Sequence, residues 1–432
     1  MLLIATRASV NLSLVPEEDR LSLKAMPALR SMLAVEEALE RILAAAAPLP
    51  AEPTPIADAV GRATADDLIA QRTVPPWDNS AMDGYAVRSA DVAKAPVRLR
   101  VIETIYAGQV PTRALAPGDC SQIMTGAPMP RGADAVVMQE RTEKRSETEV
   151  EILEPVGAQS FVRARGEDVR EGETLLSRGS AIGVAEAALL WSQGFTQVNV
   201  PRGPRLAILA TGDELSTAEA AASGKIIDSG SPALALAATR SGAIATRLGI
   251  AKDSAESLAR ALSTAASGFD AVLTIGGVSA GVHDLVREAL AEAGATMDFW
   301  KVAIKPGKPL AFGRRGATLF FGLPGNPTSS LVSFELFVRP ALRRMLGHAQ
   351  VLTPRMEGRT EVEIRKPAGL THFIRAVAHW RDGDLWAKPL ETQSSGAIRS
   401  MVGATHLIVV PSNTTQVVAG GAVALHPLSW RE

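Results

Sequence analysis

The 432-residue chain contains one cysteine, Cys120. That scarcity excludes an internal disulfide framework and any thiolate cluster for zinc or iron–sulfur. A lone thiol of this kind reads as a buried strand residue. Aromatic residues make up only 4%, too few for the stacking platforms that hold bases. Neither sign of charge is in excess: 45 Lys and Arg against 46 Asp and Glu leave a formal net charge of -1 and no global pull toward nucleic acid. The six histidines, His283, His348, His372, His379, His406 and His426, show no metal-binding pair such as HExxH. No apolar run reaches the roughly 18 residues needed to cross a bilayer. The opening MLLIATRASV carries its Arg inside a short apolar patch, unlike a secretory signal. These absences predict a cytoplasmic enzyme without nucleic-acid or membrane partners, so any anion site must be local.

What is present is arranged in blocks. At roughly 100–200 residues per domain, the length predicts two to four domains. Residues 1–32 have no periodic pattern and read as an N-terminal extension. Val35, Ala38, Leu39, Ile42 and Leu43 mark one helix face, and Ile182–Gln193 has a similar texture, predicting a helical support domain from residues 33–74 and 165–202. Within it, residues 75–164 read as an inserted small β domain. Its strands are expected at Leu99–Ile105, Ser121–Met124, Ala135–Met138 and Val150–Ile152, between Gly/Pro turns. Arg163–Asp168 reads as a solvated hairpin. From residue 203 to 350 strands and helices alternate, the signature of a doubly wound parallel sheet, with a long helix at Asn326–Leu346 interrupted by Pro340. Residues 351–432 carry short extended runs at 361–364, 373–378, 405–410 and 422–425, predicting a C-terminal β-barrel-like domain. The fold class expected is multidomain α/β.

Three glycine-rich turns fall in the α/β block: TGDEL at 211–215, TIGGVSAG at 274–281 and LPGNPTSS at 323–330. Each can end a strand and open a helix, which is where doubly wound sheets bind ligands. Glycine lets backbone approach a phosphate, and free amides at a helix start favour an anion. A lone turn is weak evidence, and Gly276–Gly281 fits neither the dinucleotide nor the P-loop pattern. Convergence of three strengthens it. Lys305-Pro306-Gly307-Lys308-Pro309 holds two lysines on a proline-restricted loop suited to an oxyanion, although an exposed charged loop is the plainer account. Asp213, Glu214, Asp253 and Asp284 supply hard oxygen ligands near the same edge, a set that favours Mg²⁺ beside phosphate; singly, each aspartate also reads as a helix cap, Asp253 in particular. The residues alone predict a Mg-dependent enzyme acting on a phosphorylated or nucleotide ligand, with room for a second oxyanion.

The ordered set PPWDNSAMDGYAVR at 75–88, IMTGAPMPRGADAVVMQE at 123–140, RGEDV at 165–169, TGDEL, GGVSAG, AIKPGKPLAFG at 303–313 and GLPGNP at 322–327 resembles the MoeA family of molybdopterin molybdenumtransferases, related to the E domain of gephyrin. The resemblance covers nearly everything after residue 33. It implies insertion of molybdate into adenylylated molybdopterin with Mg²⁺-dependent release of AMP. It also implies an elongated homodimer of four-domain subunits, with the active site between the α/β domain of one and the small β domain of the other. Asp83, Thr125 and Asp168 would then reach the site of a second subunit. By resemblance, Glu214, Asp253 and Asp284 would serve Mg²⁺ and the adenylyl phosphate. Gly276, Gly277 and Ser279 would hold the phosphate or pterin; Lys305, Lys308, Pro309 and Ser329 would bind molybdate. Arg375 and Ser395 would complete the oxyanion contacts, and Lys301 would support charge nearby. The molybdopterin adenylyltransferase and molybdoenzyme chaperones are the partners it implies. Two alternatives are an adenylyltransferase, whose single domain is similar to residues 203–350, and a non-catalytic scaffold or paralogue. Two departures stand out: Asp228-Ser229-Gly230-Ser231 replaces the usual DTN or DSN, and Leu285 replaces the usual aromatic.

Overall fold

The alternating apolar segments beyond Arg205 form a six-stranded sheet in the computed structural model, which describes residues 32–218, 224–252, 254–277, 289–290 and 292–431. In chain order its elements are β1 Arg205–Thr211, α1 Gly230–Arg240, β2 Ile244–Ala251, α2 Ala255–Ala266, β3 Ala271–Ile275, β4 Thr296–Lys301, β5 Pro309–Arg315, β6 Thr318–Leu323 and α3 Pro327–Ser333. The strand order is β2-β1-β3-β6-β5-β4. The first four strands run parallel, as predicted; β6-β5 and β5-β4 are antiparallel, so the sheet is mixed. Strand periodicity sorts its side chains. Leu206, Ile208, Leu273 and Phe321 bury on one face with α1 and the long helix, while Ala207, Leu209, Val272 and Phe320 bury on the other with α2. Both faces are covered, which is why the central strands are continuous apolar runs.

The first helix, Val35–Ala45, belongs to this core and not to the support domain. Val35, Ala38 and Ile42 pack in one cluster with Leu206, Phe334 and Met345, and Leu33 donates its N–H to the Lys301 carbonyl at 3.2 Å. Helical period marked its buried face correctly; it carries no information on which core that face meets. The support region is itself mixed. Ala51–Pro55 pairs antiparallel with Gln197–Pro201 and Leu68–Ile69 with Thr174–Leu176, beside the helix Val184–Ser192. Its core is Ile56, Ala59, Leu68, Ile182, Leu190 and Val200.

Between those paired ends sits a second six-stranded sheet from Ala135–Met138, Gly84–Val87, Asp119–Ile123, Val97–Ile105, Glu149–Ile152 and Thr142–Ser146, in that spatial order. Cys120 is fully buried in it, its thiol pushed up to about 12 by burial. The stretch expected as a hairpin at Arg163–Asp168 is instead a crossing: Val162–Arg163 pairs with Asn79–Ser80, and Arg165 donates its N–H to Asp78 Oδ1 at 2.7 Å. The Arg165 side chain also bonds the Pro75–Ser80 loop, its Nε donating to the Pro76 carbonyl at 3.1 Å, while Glu167 accepts from the Ala164 N–H at 3.1 Å within its own stretch.

The long helix is α3, then a π turn at Phe334–Val338, then α4 Arg339–Met345. The chain stays helical through Pro340, and the interruption expected there takes the form of the wider turn just upstream, where the missing proline N–H and ring crowding disturb the ladder. Beyond it, β7 Met356–Thr360, β8 Thr371–Arg381, β9 Asp384–Pro389, β10 His406–Val410 and β11 Ala422–Pro427 close a five-stranded barrel in the order β8-β9-β7-β11-β10 and back to β8. The run expected at 361–364 is only its short tail, Ile364–Arg365, while β9 escaped prediction. Asp382 and Gly383, both with positive φ, make the tight β8–β9 hairpin. Among the described residues no helix is long and apolar enough to cross a membrane.

Candidate active site

The carboxyl ends of β1, β3 and β6 open into a cleft of about 1220 Å³, whose lining includes Gly212, Gly276, Gly277 and Gly325. The three glycine turns meet there. Gly276 adopts φ +88°, and a Cβ on it would stand 2.6 Å from the Thr211 carbonyl oxygen. Only glycine allows β1 and β3 to end so close together. The Gly276 N–H donates to the Leu323 carbonyl of β6 at 3.0 Å, so one residue joins all three strand ends.

The lysine loop closes one side. It contains a cis Lys305–Pro306 bond, and Lys305 and Lys308 are both exposed to the cleft with Pro309 beside them. Gly307, at φ +102°, lies where a Cβ would come within 2.5 Å of Ser333 Oγ, which seats the loop on α3. Ser329, buried on that helix, lines the cleft below it. Ile304–Lys305 also pairs in parallel with Thr371–His372 of the barrel. His372 registers the cationic surroundings: burial first, then the charges of Lys305 and Lys366, lower it to about 4, so it is neutral near pH 7.

The opposite wall comes from the barrel as Leu370 and Gln393–Gly396. Arg375 does not line the cleft as expected; it is fully buried behind that loop. Its Nη2 donates to the carbonyls of Thr392 and Ser394, each at 3.2 Å, whereas Nε and Nη1 are buried without partners. Burial holds its pKa below the ordinary arginine value. Gln393 brackets the same arginine, accepting from its N–H at 3.1 Å and donating to its carbonyl at 2.9 Å. Across the mouth, Asn326 Nδ2 donates to Ser395 Oγ at 3.0 Å.

Two carboxylates, Glu214 and Asp228, face the cleft beside an apolar rim of Leu215, Ile226 and Ile227. Asp228 accepts from the Ser231 N–H at 3.0 Å and from its hydroxyl, with Arg247 3.9 Å away. In this departure from the usual motif, Asp228 and Ser231 therefore close the start of α1 between them. Of the expected Mg²⁺ ligands only Glu214 is described; Asp253 and Asp284, like Ser279, lie outside the described residues. Among the described residues no three His, Cys, Asp or Glu side chains gather at one point.

The cleft thus unites Glu214, Gly276, Gly277, Lys305, Lys308, Pro309, Ser329 and Ser395. Besides Arg375, four predicted residues are elsewhere. Lys301 is exposed on β4, paired with Pro309. Asp83 and Thr125 meet on the inserted sheet: Asp83 Oδ1 accepts from the Thr125 N–H at 2.7 Å and its hydroxyl at 2.8 Å, holding the carboxyl below its usual range. Asp168 is exposed at the adjoining turn, its N–H on the Val74 carbonyl at 3.2 Å. Sequence reasoning missed Asn326, Asp228 and Gln393 as site residues. All three stood inside or beside motifs that drew notice for other residues, Gln393 opening the QSSG segment that holds Ser395; its bonds to Arg375, a residue of β8, had no local signal.

The chain matches three family descriptions in sequence order: "MoeA N-terminal region (domain I and II)" over residues 33–194, "Probable molybdopterin binding domain" over 207–344 and "MoeA C-terminal region (domain IV)" over 357–428. It is 38% identical to the molybdopterin molybdenumtransferase of Nostoc, over 83% of this chain and 85% of that protein. It is 33% identical to the Bacillus subtilis protein of the same name, over 91% and 94% of the two chains. Two crystal structures of the Pyrococcus horikoshii molybdopterin biosynthesis MoeA protein are similar to it. One gives a TM-score of 0.80 at 27% identity over 92% of this chain and 100% of that one. The other gives 0.76 at 32% identity over 92% and 99%.

Proposed function

Because the chain belongs to the MoeA family of molybdopterin molybdenumtransferases, we propose that it carries out the molybdenum-inserting step of molybdenum cofactor biosynthesis: adenylylated molybdopterin and molybdate enter, AMP leaves and molybdenum is transferred to the dithiolene. One observation carries the reading of the site. Two kinds of anion-binding surface open on one cleft: the backbone turns at Gly212, Gly276 and Gly325, and the lysine loop facing Ser329 and Ser395. The turns suit the adenylyl phosphate, and the lysines suit molybdate. Charge-assisted bonds from Lys305 and Lys308 would hold the oxyanion, while the serine hydroxyls donate to its remaining oxygens.

Mg²⁺ would neutralise phosphate charge when bound. Glu214 is the described carboxylate placed to serve it, and the hard oxygens of Glu214 and Asp228 suit that cation. The location of Asp83 and Thr125 on the inserted sheet, with Asp168 at the turn adjoining it, supports a homodimer in which they complete a partner's site; the Thr125 bonds favour the ionised form of Asp83 for such a role.

The test is AMP release by purified protein given adenylylated molybdopterin, Mg²⁺ and molybdate. Molybdate-dependent AMP is expected. AMP release unaffected by molybdate would sink the proposal, and consumption of ATP with free molybdopterin would point to the adenylyltransferase instead.

A further inference from the structure

Asn326 occupies the N-cap of α3, with extended backbone at φ -65° and ψ 121°. Asparagine is favoured there because its side chain can accept from the first free N–H groups of the helix. This one makes no such bond. Pro327 has no N–H to offer, and the carboxamide turns outward to a residue 69 positions away, Ser395 Oγ, at 3.0 Å. Its oxygen stands 3.9 Å from the place a Cβ on Gly396 would take, so the whole amide plane lies against the Ser395–Gly396 corner.

We propose that Asn326 is a positioning residue for oxyanion binding, fixing the Ser395 hydroxyl by donating to its oxygen so that the hydroxyl proton is left to point into the cleft. A hydroxyl is one donor and an acceptor with two lone pairs. With one lone pair taken by the Nδ2–H, rotation about Cβ–Oγ aims the proton at an anion held by Lys305 and Lys308. The bond also links the α/β wall to the barrel wall, complementing the brace Arg375 gives the same loop from behind. The inference rests on the proposed oxyanion role of Ser395.

Three variants separate the two ideas: Asn326→Ala, Ser395→Ala and their double. Molybdate is titrated against AMP release at saturating adenylylated molybdopterin. Asn326→Ala is expected to raise the half-saturating molybdate concentration about tenfold, as loss of one hydrogen bond to a charged group does, with the rate at saturation nearly unchanged. The double variant is expected to be no worse than Ser395→Ala alone, because Asn326 acts through that hydroxyl. Asn326→Asp is expected to be worse than Asn326→Ala: a carboxylate accepts the serine proton and turns a lone pair toward the anion. The melting temperature should be unchanged in Asn326→Ala, since no cap is lost. Additive effects in the double variant, or an Asn326→Asp that binds molybdate like wild type, would overturn the positioning role. A silent Ser395→Ala would remove the underlying oxyanion assignment instead.

Discussion

The two walls of the cleft are built on different plans. The α/β wall is made of backbone: three strand ends brought together by Gly276, with the lysine loop seated on α3 through Gly307. The barrel wall is made of a loop held from behind by side chains, chiefly the buried Arg375 and Gln393. A backbone wall depends on residues that can adopt one conformation. A braced wall depends on a cation whose burial is only partly compensated.

The sharpest way to break this comparison is to remove the cations that face the ligand. Lys308→Ala should raise the molybdate concentration needed for AMP release by about 10- to 100-fold, the loss of a charge-assisted bond. If it binds molybdate like wild type, the cationic loop is not the oxyanion site.

Next in size is a contrast inside the barrel. Lys366, 6% exposed, is fully occupied, donating to the carbonyls of Pro367, Leu370 and Ser412 at 3.3, 3.0 and 3.4 Å. Arg375 keeps two buried nitrogens without partners. Lys366→Met should therefore lower stability to denaturant by about 2 kcal/mol, by stranding its acceptors. Arg375→Met should leave stability unchanged or raise it, because an apolar chain there removes a charge whose burial is only partly compensated, and the two carbonyls it frees belong to exposed residues that water can reach. The same Arg375→Met protein should nonetheless respond more weakly to molybdate, since the Ser394–Ser395 loop loses its brace. Equal destabilisation by the two changes would erase the distinction between a satisfied and a bracing cation.

The smallest expected effect is a titration. His372 is lowered to about 4, below its ordinary 6.5, by burial and then by Lys305 and Lys366. The unfolded chain therefore binds more protons than the folded one between those values. Its contribution to stability is complete above about pH 6.5 and is lost as pH falls toward 4. Following the imidazole by NMR, Lys305→Ala should move the His372 pKa upward; no movement would separate the lysine loop electrostatically from the barrel strand it pairs with.

The two plans were unequally legible in the sequence. Glycine turns after apolar strands, and prolines around two lysines, are local patterns whose geometry follows from backbone chemistry, so the meeting of the three turns and the lysine loop at one cleft could be foreseen, though not the parts of Asp228 and Asn326. The barrel wall could not. Arg375 sits on β8 among Phe373 and Ala376, and nothing local says whether its guanidinium faces a ligand or supports a loop. The bond from Asn326 to Ser395 spans two domains, and the usual capping preference of asparagine points to the wrong partner. Helix Val35–Ala45 illustrates the same limit at the level of domains, its apolar stripe being equally suited to either core.

The π turn at Phe334–Val338 sets how the long helix tolerates changes in length. A wide turn of this kind holds one residue more than the α-helical path between the same two ends, so the flanks remain in phase without it. Deleting one residue there should let the ladder close as ordinary α-helix, with Ser329 still directed to the cleft and Ala341 and Met345 still in the core. The same deletion within α3 or α4 would turn one half of the helix by about 100° against the other. What the shortened turn would give up is Glu335, which accepts from the Ser429 hydroxyl at 2.6 Å and faces His426 at 3.3 Å. The extra residue is thus a splice point in the chain's length, kept where an acidic side chain fastens the barrel to the helix.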